Sequence, residues 1–556
     1  MDNHWLSTPM PELRREALFS DRVVRCFAPR PSSVAAMLNA TAQAHPQGEA
    51  VVTERGERWT WAEVLAQTQA CASGLQRLGV SAGERVVVLV SNRPEFVLTL
   101  LALQWLGAVA VPVGTREQQA GLQYILNQCG AIGVVLDADL LDRLPSPEDA
   151  PALRFLVVCG GATDTDTSIR DRSDPDTSPA PDAPTALHFE RLLQGGALTC
   201  PTPVNEADAA VILYTSGTTG RPKGAVLTHV NIVHSAMHYV SCMALTAQDK
   251  SLLAVPASHV TGLIANVMAM VLCGGCVVLM SAFKAAGFIA LAARERVTHT
   301  LMVPAMYNLL LLSPEFAQHD LSAWRIGGYG GAPMPVTTID ALARALPQLV
   351  LLNAYGATET TSPTTLMPLG QTRDHADSVG VCLPCADVMV VDDEGRELPA
   401  GEVGEVWISG PMVVRGYWAN PQATASEFTA GWWHSGDLGS VDAQGFVRIF
   451  DRKKDMLNRG GYKVFSVEVE NVLLSLPGVV EAAIVGKPCP VLGERVHAFI
   501  HAPGAGLDLT AVQAFCSRRL ADYKIPESIT WCEAPLPRNL NGKVLKRELR
   551  LQLPPT

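Results

Sequence analysis

Residues 211–229 read VILYTSGTTGRPKGAVLTH. The apolar run Val211–Tyr214 predicts a buried strand. It leads into a loop in which Thr215, Ser216, Thr218 and Thr219 are interleaved with Gly217, Gly220 and Gly224. Glycine lets a backbone turn sharply and approach a ligand closely. Successive backbone N–H groups in such a loop form a concave anion site. The hydroxyls add donors and Lys223 adds a mobile positive charge, so the set suits a polyphosphate. An ordinary Ser/Thr/Gly surface turn is the competing reading; the concentration of hydroxyls and glycines around one lysine favours the anion site. The Walker A pattern is not matched, because Lys223 follows Pro222 and Gly224 stands where Ser or Thr would bind magnesium.

The chain has 556 residues, too long for one ordinary core, and predicts two or more domains. A hydrophobic content of 48% with 17% charged residues indicates a globular, enzyme-like chain. The formal charge of −11 argues against a basic face that binds nucleic acid. The thirteen cysteines, read as scattered singly and not as C-x-x-C pairs, predict a reducing, cytoplasmic setting rather than a zinc ribbon or a disulfide framework. The N-terminus, MDNHWLSTPMPELRREALFSD, has early acids and no apolar core, so it predicts neither a secretory signal nor a transit peptide.

Outward from the loop, helix and strand patterns alternate. TWAEVLAQTQACASGLQRLG (60–79) has helical period and stops at Gly79, RVVVLV (85–90) reads as a strand, and Ser91–Leu106 as a helix. AVAVPV, GAIGVVLD and LRFLVVCG follow as strands. The alternation predicts an α/β fold with a mostly parallel sheet. Phe96–Val113 and Gly262–Met280 are each about one membrane span long, but internal polar residues and breaks favour a buried helix followed by a strand. Residues 161–186 are almost devoid of apolar side chains and predict a disordered surface loop. After Gly380, DVMVVDDEGRELP, GEVGEVWISG and VVRGYW read as short strands with turns and predict a small antiparallel β unit, and residues 455–556 predict a small α+β domain.

Five further stretches stand out: PASHVTGL (256–263), IGGYGGAPMP (326–335), NAYGATET (353–360), HSGDLGSVDAQGFVRIFDRKKDMLNRGGYKVFSVEVE (434–470) and LPRNLNGKVLKREL (536–549). Singly, each has a plain explanation: a core histidine, a glycine turn, a strand-to-helix turn, a solvated charged turn and a surface lysine. Together and in this order with YTSGTTGRPKG, they resemble the motifs of the adenylate-forming superfamily of acyl-CoA synthetases, adenylation domains and firefly-type luciferases. The resemblance runs from about residue 35 to 550.

The resemblance implies a large domain of stacked α/β sheets with a small β-barrel-like subdomain (35–451) after an extension (1–34), a hinge at 452–454 centred on Lys454, and a small mobile domain (455–556). It assigns ATP to Thr215, Ser216, Gly217, Thr218, Thr219, Gly220 and Lys223; to Gly331, Ala332 and Pro333; to Asn353, Ala354, Tyr355, Gly356 and Thr358; and to Asp437, Ile449, Arg452 and Lys543. Tyr355 offers a flat face to adenine, and Asp437 accepts from both ribose hydroxyls. Glu359 is the hard oxygen ligand for Mg²⁺. His259 lines the acyl site, and Gly460, Gly461 and Lys463 border the pantetheine path of coenzyme A.

The implied reaction has two steps. A carboxylate attacks the α-phosphate of ATP, giving acyl-adenylate and pyrophosphate, while Lys543 and Lys223 neutralise charge on the phosphates. The C-terminal domain then swings and a thiol attacks the adenylate. No acidic residue lies between Pro256 and Met280, so an α-ammonium group would find no partner there. That favours an apolar fatty or aromatic monocarboxylate. The competing readings are a ligase that loads a carrier protein, a luciferase-like oxygenase and a catalytically silent nucleotide-binding module. Pro537, Gly542 and Lys543 have the spacing that lysine acetyltransferases recognise in bacterial relatives, which makes Lys543 a candidate for reversible acetylation and deacetylation.

Overall fold

A computed structural model describes residues 4–5, 10–161, 184–215, 221–538 and 544–553. Ser216, Gly217, Thr218, Thr219, Gly220 and Lys543 therefore lie outside the described residues, as does most of the loop expected at 161–186. The chain divides into two compact units. The first comprises Met1–Val388, Ile408–Trp433 and Gln444–Val447; the second comprises Met389–Trp407, His434–Ala443 and Arg448–Thr556.

The first unit is built on two large sheets. One has seven strands in the order Lys223–Thr228, Ala209–Thr215, Val109–Pro112, Arg85–Leu89, Gly133–Asp137, Phe155–Cys159 and Thr185–His188. Only the first pair is antiparallel; the others run parallel. Strands buried on both faces read as unbroken apolar runs, as RVVVL and GVVLD do. Val87, Leu89, Val134 and Leu136 pack with Leu122, Ile125 and Leu126 of helix Gln119–Cys129. Thr185–His188 corrects the expected end of the disordered loop: Thr185 and Ala186 are already in a strand paired with Phe155 and Leu156.

The second sheet has nine strands, of which six are parallel. In order these are Val350–Tyr355, Ile326–Gly330, His299–Met302, Lys250–Leu253, Cys276–Leu279 and Glu49–Thr53. Phe96–Val113 is the expected helix-then-strand, Pro94–Trp105 followed by Val109–Pro112. Gly262–Met280 differs in one respect: its first turns, Thr261–Met268, are wound as a π-helix before Ala269–Cys273 and the strand Cys276–Leu279. No helix among the described residues is long and apolar enough to cross a membrane. Two C-x-x-C spacings, Cys273/Cys276 and Cys382/Cys385, run against the reading of the cysteines as scattered single residues, yet all four are free thiols.

In the second unit, a five-stranded sheet orders Tyr462–Val464, Leu457–Arg459, Gly493–His501 and Glu481–Cys489, with Ser528–Trp531 parallel to Gly493–His501. Helices Ser466–Leu474 and Leu509–Cys516 cover it through Val469, Leu473, Val512 and Cys516. This is the expected small α+β architecture.

Helix His229–Cys242 organises the first unit. Thr228 and Asn231 form a capping box at its start, satisfying two otherwise orphaned N–H donors. Three of its histidines are buried and each accepts a hydrogen bond from the backbone of a distant segment. His229 Nδ1 accepts from Val34 N–H at 3.4 Å, His234 Nε2 from Phe27 N–H at 3.2 Å, and His238 Nε2 from Cys385 N–H at 3.2 Å. His234 Nδ1 donates to Val230 C=O at 2.9 Å, which fixes its tautomer. Through Phe27, the hairpin of strands Leu13–Leu18 and Arg22–Phe27 is stapled to the helix. The 1–34 extension thus contains ordered structure.

Burial holds His229 and His234 near pKa 4 and His238 well below the usual value. A folded-state pKa depressed below the unfolded value of ~6.5 gives stability that is complete above ~6.5 and lost as pH falls toward 4. Each of the two groups held near 4 is expected to withdraw up to about 3 kcal/mol over that interval. Urea midpoints measured at pH 7.5, 5.5 and 4.5 should fall more steeply in the wild type than in His234→Gln. Parallel slopes would remove His234 from the acid response.

Candidate active site

Parallel strands point the same way, so the loops leaving their carboxyl ends gather along one edge of the sheet, where ligands bind in α/β folds. Four adjacent strands of the nine-stranded sheet end there, and three of them lead to expected residues. Lys250–Leu253 leads to Pro256–His259, His299–Met302 to Val303, Ile326–Gly330 to Gly331, Ala332 and Pro333, and Val350–Tyr355 to Gly356, Thr358 and Glu359. A side chain at Gly330 would stand 2.4 Å from Ala354 O, so glycine is required for the two strand ends to approach. Gly331 adopts φ +78°, and a Cβ there would lie 3.9 Å from Val303 Cγ1. Ala332 and Pro333 are exposed, and Asn353 and Ala354 are buried.

His259 is half-buried at the mouth of the π-helix, its N–H donating to Pro256 O at 3.1 Å. Desolvation lowers its pKa, which favours a neutral ring at pH 7. Gly262 lets the π-helix close on this loop, since a Cβ would meet Pro256 O at 2.4 Å. Single π turns are common at functional sites.

The turn after Glu359 carries strain that sequence reading misses. Thr361 (φ 51°) and Ser362 (φ 42°) are both left-handed, and such a conformation is exceptional for a β-branched residue. Each costs about 1–3 kcal/mol. Helix His229–Cys242 braces them: Ser235 Oγ donates to Ser362 O at 2.8 Å, and Tyr239 OH hydrogen-bonds Ser362 Oγ at 2.7 Å.

Thr215 ends its strand opposite Lys223, the first residue of the edge strand. Thr215 Oγ1 donates to Lys223 O at 3.4 Å. The segment 416–418 runs along the other side of that edge strand: Val226 N–H donates to Gly416 O at 3.1 Å and Trp418 N–H to Gly224 O at 2.7 Å. VVRGYW, expected as a strand of the later β unit, is instead an irregular segment against this edge. The pairing carries Tyr417 over Lys223, whose Nζ lies 4.4 Å from the ring centroid.

Lys223 Nζ is ion-paired with Glu427, and its side chain is only 10% exposed. Tyr417 OH lies 2.9 Å from Glu359 Oε1 and 2.5 Å from Glu427 Oε2. Glu359 is 7% exposed, and burial pushes its carboxyl pKa above the usual range despite Tyr417 and Lys223. Lys223 and Glu359 are thus joined through Tyr417 and Glu427, two residues that the sequence reading did not single out. A divalent ion prefers carboxylate oxygen, which Glu359 provides. Among the described residues no three His, Cys, Asp or Glu cluster as a metal site.

In the second unit, Asp437 and Arg452 form an ion pair at 2.8 Å, with the Asp437 side chain 7% exposed. Ser435 Oγ accepts from Asp437 N–H at 3.0 Å, and Arg452 Nη1 donates to Ser435 O at 3.0 Å. Ile449 is half-buried on the strand Val447–Arg452. Lys454 is exposed, and its carbonyl accepts from Arg550 Nη2 at 3.3 Å. Gly460 and Gly461, both with positive φ, turn Leu457–Arg459 into Tyr462–Val464, leaving Lys463 exposed. The segments flanking Lys543 are held firmly. Leu545 N–H donates to Pro537 O at 2.8 Å, and Lys546 reaches Glu470 at 2.6 Å and Ser466 Oγ at 2.5 Å. Ser466 Oγ donates to Asp451 at 3.0 Å, so the end of one strand of this unit and the C-terminal motif share one buried network.

The family model described as AMP-binding enzyme matches residues 38–418, and that of the AMP-binding enzyme C-terminal domain matches 468–543. The chain is 34% identical over 501 residues to a feruloyl-CoA synthase of Amycolatopsis sp, covering 90% of this chain and 95% of the relative. It is 34% identical over 517 residues to a long-chain-fatty-acid–CoA ligase of Mycobacterium tuberculosis, covering 93% and 97%. The crystal structure of ATP-bound MatB from Rhodopseudomonas palustris superposes with a TM-score of 0.82 at 28% identity, covering 94% of this chain and 99% of that one. On these matches and on the order of its motifs, the chain belongs to the AMP-binding enzymes, the adenylate-forming superfamily.

Proposed function

We propose that the protein is an ATP-dependent acyl-CoA synthetase. The observation that carries this reading is the cluster in which Lys223 and Glu359 meet through Tyr417, beside the strand ends that present His259 and Gly331. An ammonium and a hard carboxylate suit a triphosphate, and the small residues at 331–333 leave room for an acyl group. In the first step the carboxylate oxygen of the acid bonds to the α-phosphorus of ATP and the bond to pyrophosphate breaks. In the second, the thiol of coenzyme A adds to the acyl carbon, AMP leaves and the thiol proton passes to solvent.

Lys223 and Lys543 stabilise the charge on the departing pyrophosphate. Asp437 accepts from the ribose hydroxyls and Arg452 supports it. Tyr355 faces adenine, and Ser216 to Gly220 cradle the phosphates. Mg²⁺, held by Glu359, would screen the phosphate charge when bound. Lys454 serves as the hinge, and Gly460, Gly461 and Lys463 border the coenzyme A path. The substrate class is an apolar fatty or aromatic monocarboxylate, supported by the acid-free stretch 256–280 and by relatives named for feruloyl and long-chain fatty acyl groups.

Pyrophosphate release across a panel of carboxylic acids is expected to be highest with apolar monocarboxylates, and acyl-CoA should form with saturable dependence on free coenzyme A. Thioester formed only on a carrier protein would make the enzyme a carrier-loading ligase instead.

Glu359→Gln keeps the size and loses the charge. It should raise the Mg²⁺ concentration needed for half-maximal rate by at least ~10-fold; an unchanged titration would refute the metal role.

Lys543→Ala should lose overall synthesis by about 10²–10³, yet still convert chemically made acyl-adenylate and coenzyme A to thioester. Equal loss in both half-reactions would show that Lys543 is needed for folding or general binding. Acetylation of Lys543 removes the same charge and should block adenylation alone; full activity of the acetylated enzyme would exclude it as a control point.

A further inference from the structure

We propose that Tyr417 and Glu427 are positioning residues for the phosphate lysine, fixing the Lys223 ammonium relative to the Glu359 carboxylate. The proposal rests on the reading of Lys223 as the phosphate-binding lysine. Lys223 opens an edge strand just after a glycine-rich stretch of sequence, and a long flexible side chain at a strand end would ordinarily sample many rotamers in solvent. Its side chain is instead 10% exposed, ion-paired with Glu427 and covered by the face of Tyr417.

An ammonium has three N–H donors. One directed at Glu427 leaves others for phosphate oxygens, so the ion pair anchors Lys223 without consuming it. Burial and pairing also confine the rotamers that an unanchored lysine would have to give up on binding. Tyr417 performs two jobs at once. Its backbone lies opposite Ala225 on the lysine's own strand, so ring and lysine keep a fixed register. Its hydroxyl lies between Glu359 at 2.9 Å and Glu427 at 2.5 Å, tying the lysine's counter-ion to the metal carboxylate. Val414 N–H, three residues earlier, donates to Glu359 O at 2.9 Å and holds the same turn from the backbone side. Gln128 Nε2 donates to Trp418 O at 2.7 Å and Tyr124 OH to Pro222 O at 3.1 Å, bracing the segments on either side. Neither Tyr417 nor Glu427 needs to touch the acid, the nucleotide or coenzyme A to act.

The test is kinetic. Tyr417→Phe and Glu427→Gln should each lower kcat/KM for ATP in acid-dependent pyrophosphate release by about tenfold or more. KM for the acid and the conversion of chemically made acyl-adenylate with coenzyme A should stay within about twofold. Glu427→Asp, which keeps the charge, should restore part of the loss. In a Lys223→Met background, Glu427→Gln should cost less than about twofold more, because a residue acting through Lys223 has nothing left to position. An additive loss in that background, or equal losses for ATP, acid and the adenylate half-reaction, would overturn the positioning role and make the pair merely structural. Full adenylation by Lys223→Met would overturn the phosphate role of Lys223 itself, and the proposal with it.

Discussion

A lysine that is taken out of water must find an anion, and the site in the first unit is arranged around that requirement. Removing an ammonium from solvent costs several kcal/mol unless a partner compensates. Lys223 sits where the edge of a seven-stranded sheet would otherwise be open. Open edges carry unpaired backbone groups and invite intermolecular pairing. The segment 416–418 covers that edge and in doing so brings Tyr417 to the lysine, while Glu427 arrives from the helix Pro421–Glu427 that follows. Covering the edge, neutralising the ammonium and locating the Glu359 carboxylate are consequences of one packing arrangement.

The second sheet solves a different problem. Six parallel strands bring several loops to one edge, and each loop must turn within a few residues. Gly330 permits the close approach, the π-helix tightens the turn after His259, and Thr361 and Ser362 absorb the sharpest reversal as backbone strain. Strain of this kind persists only where surrounding contacts over-determine it. Here Ser235 and Tyr239 supply those contacts from the helix whose histidines also anchor the N-terminal hairpin.

The fold class and the position of the expected site loops were legible in the sequence for a physical reason. Parallel strands are short unbroken apolar runs, and the polar residues that follow them fall on the ligand edge by topology. His259, Gly331, Tyr355 and Glu359 lie at or just after such runs, but their expected roles came from the resemblance of their motifs to the adenylate-forming superfamily. Tyr417 and Glu427 were not, because their meaning depends on contacts across the chain: Glu427 lies 204 residues from Lys223, and neither sits in a distinctive local pattern. The strand Thr185–His188 was hidden for the opposite reason, being a short run beside a long polar stretch. The winding of Thr261–Met268 was also illegible, since α- and π-turns share an apolar face and differ by one residue in hydrogen bonding.

The stapled hairpin has a consequence for how the chain is made. Phe27 and Val34 find their histidine acceptors 207 and 195 residues later in the sequence, and His238 waits 147 residues for Cys385. At ribosomal rates of ~5–20 residues per second, a gap of 207 residues takes roughly 10–40 s to synthesise. During that interval the first strands emerge without the helix that buries Phe27, and their backbone donors face solvent or one another. The first unit is therefore a high-contact-order fold at its N-terminal end, and its earliest segment is among the last to be completed.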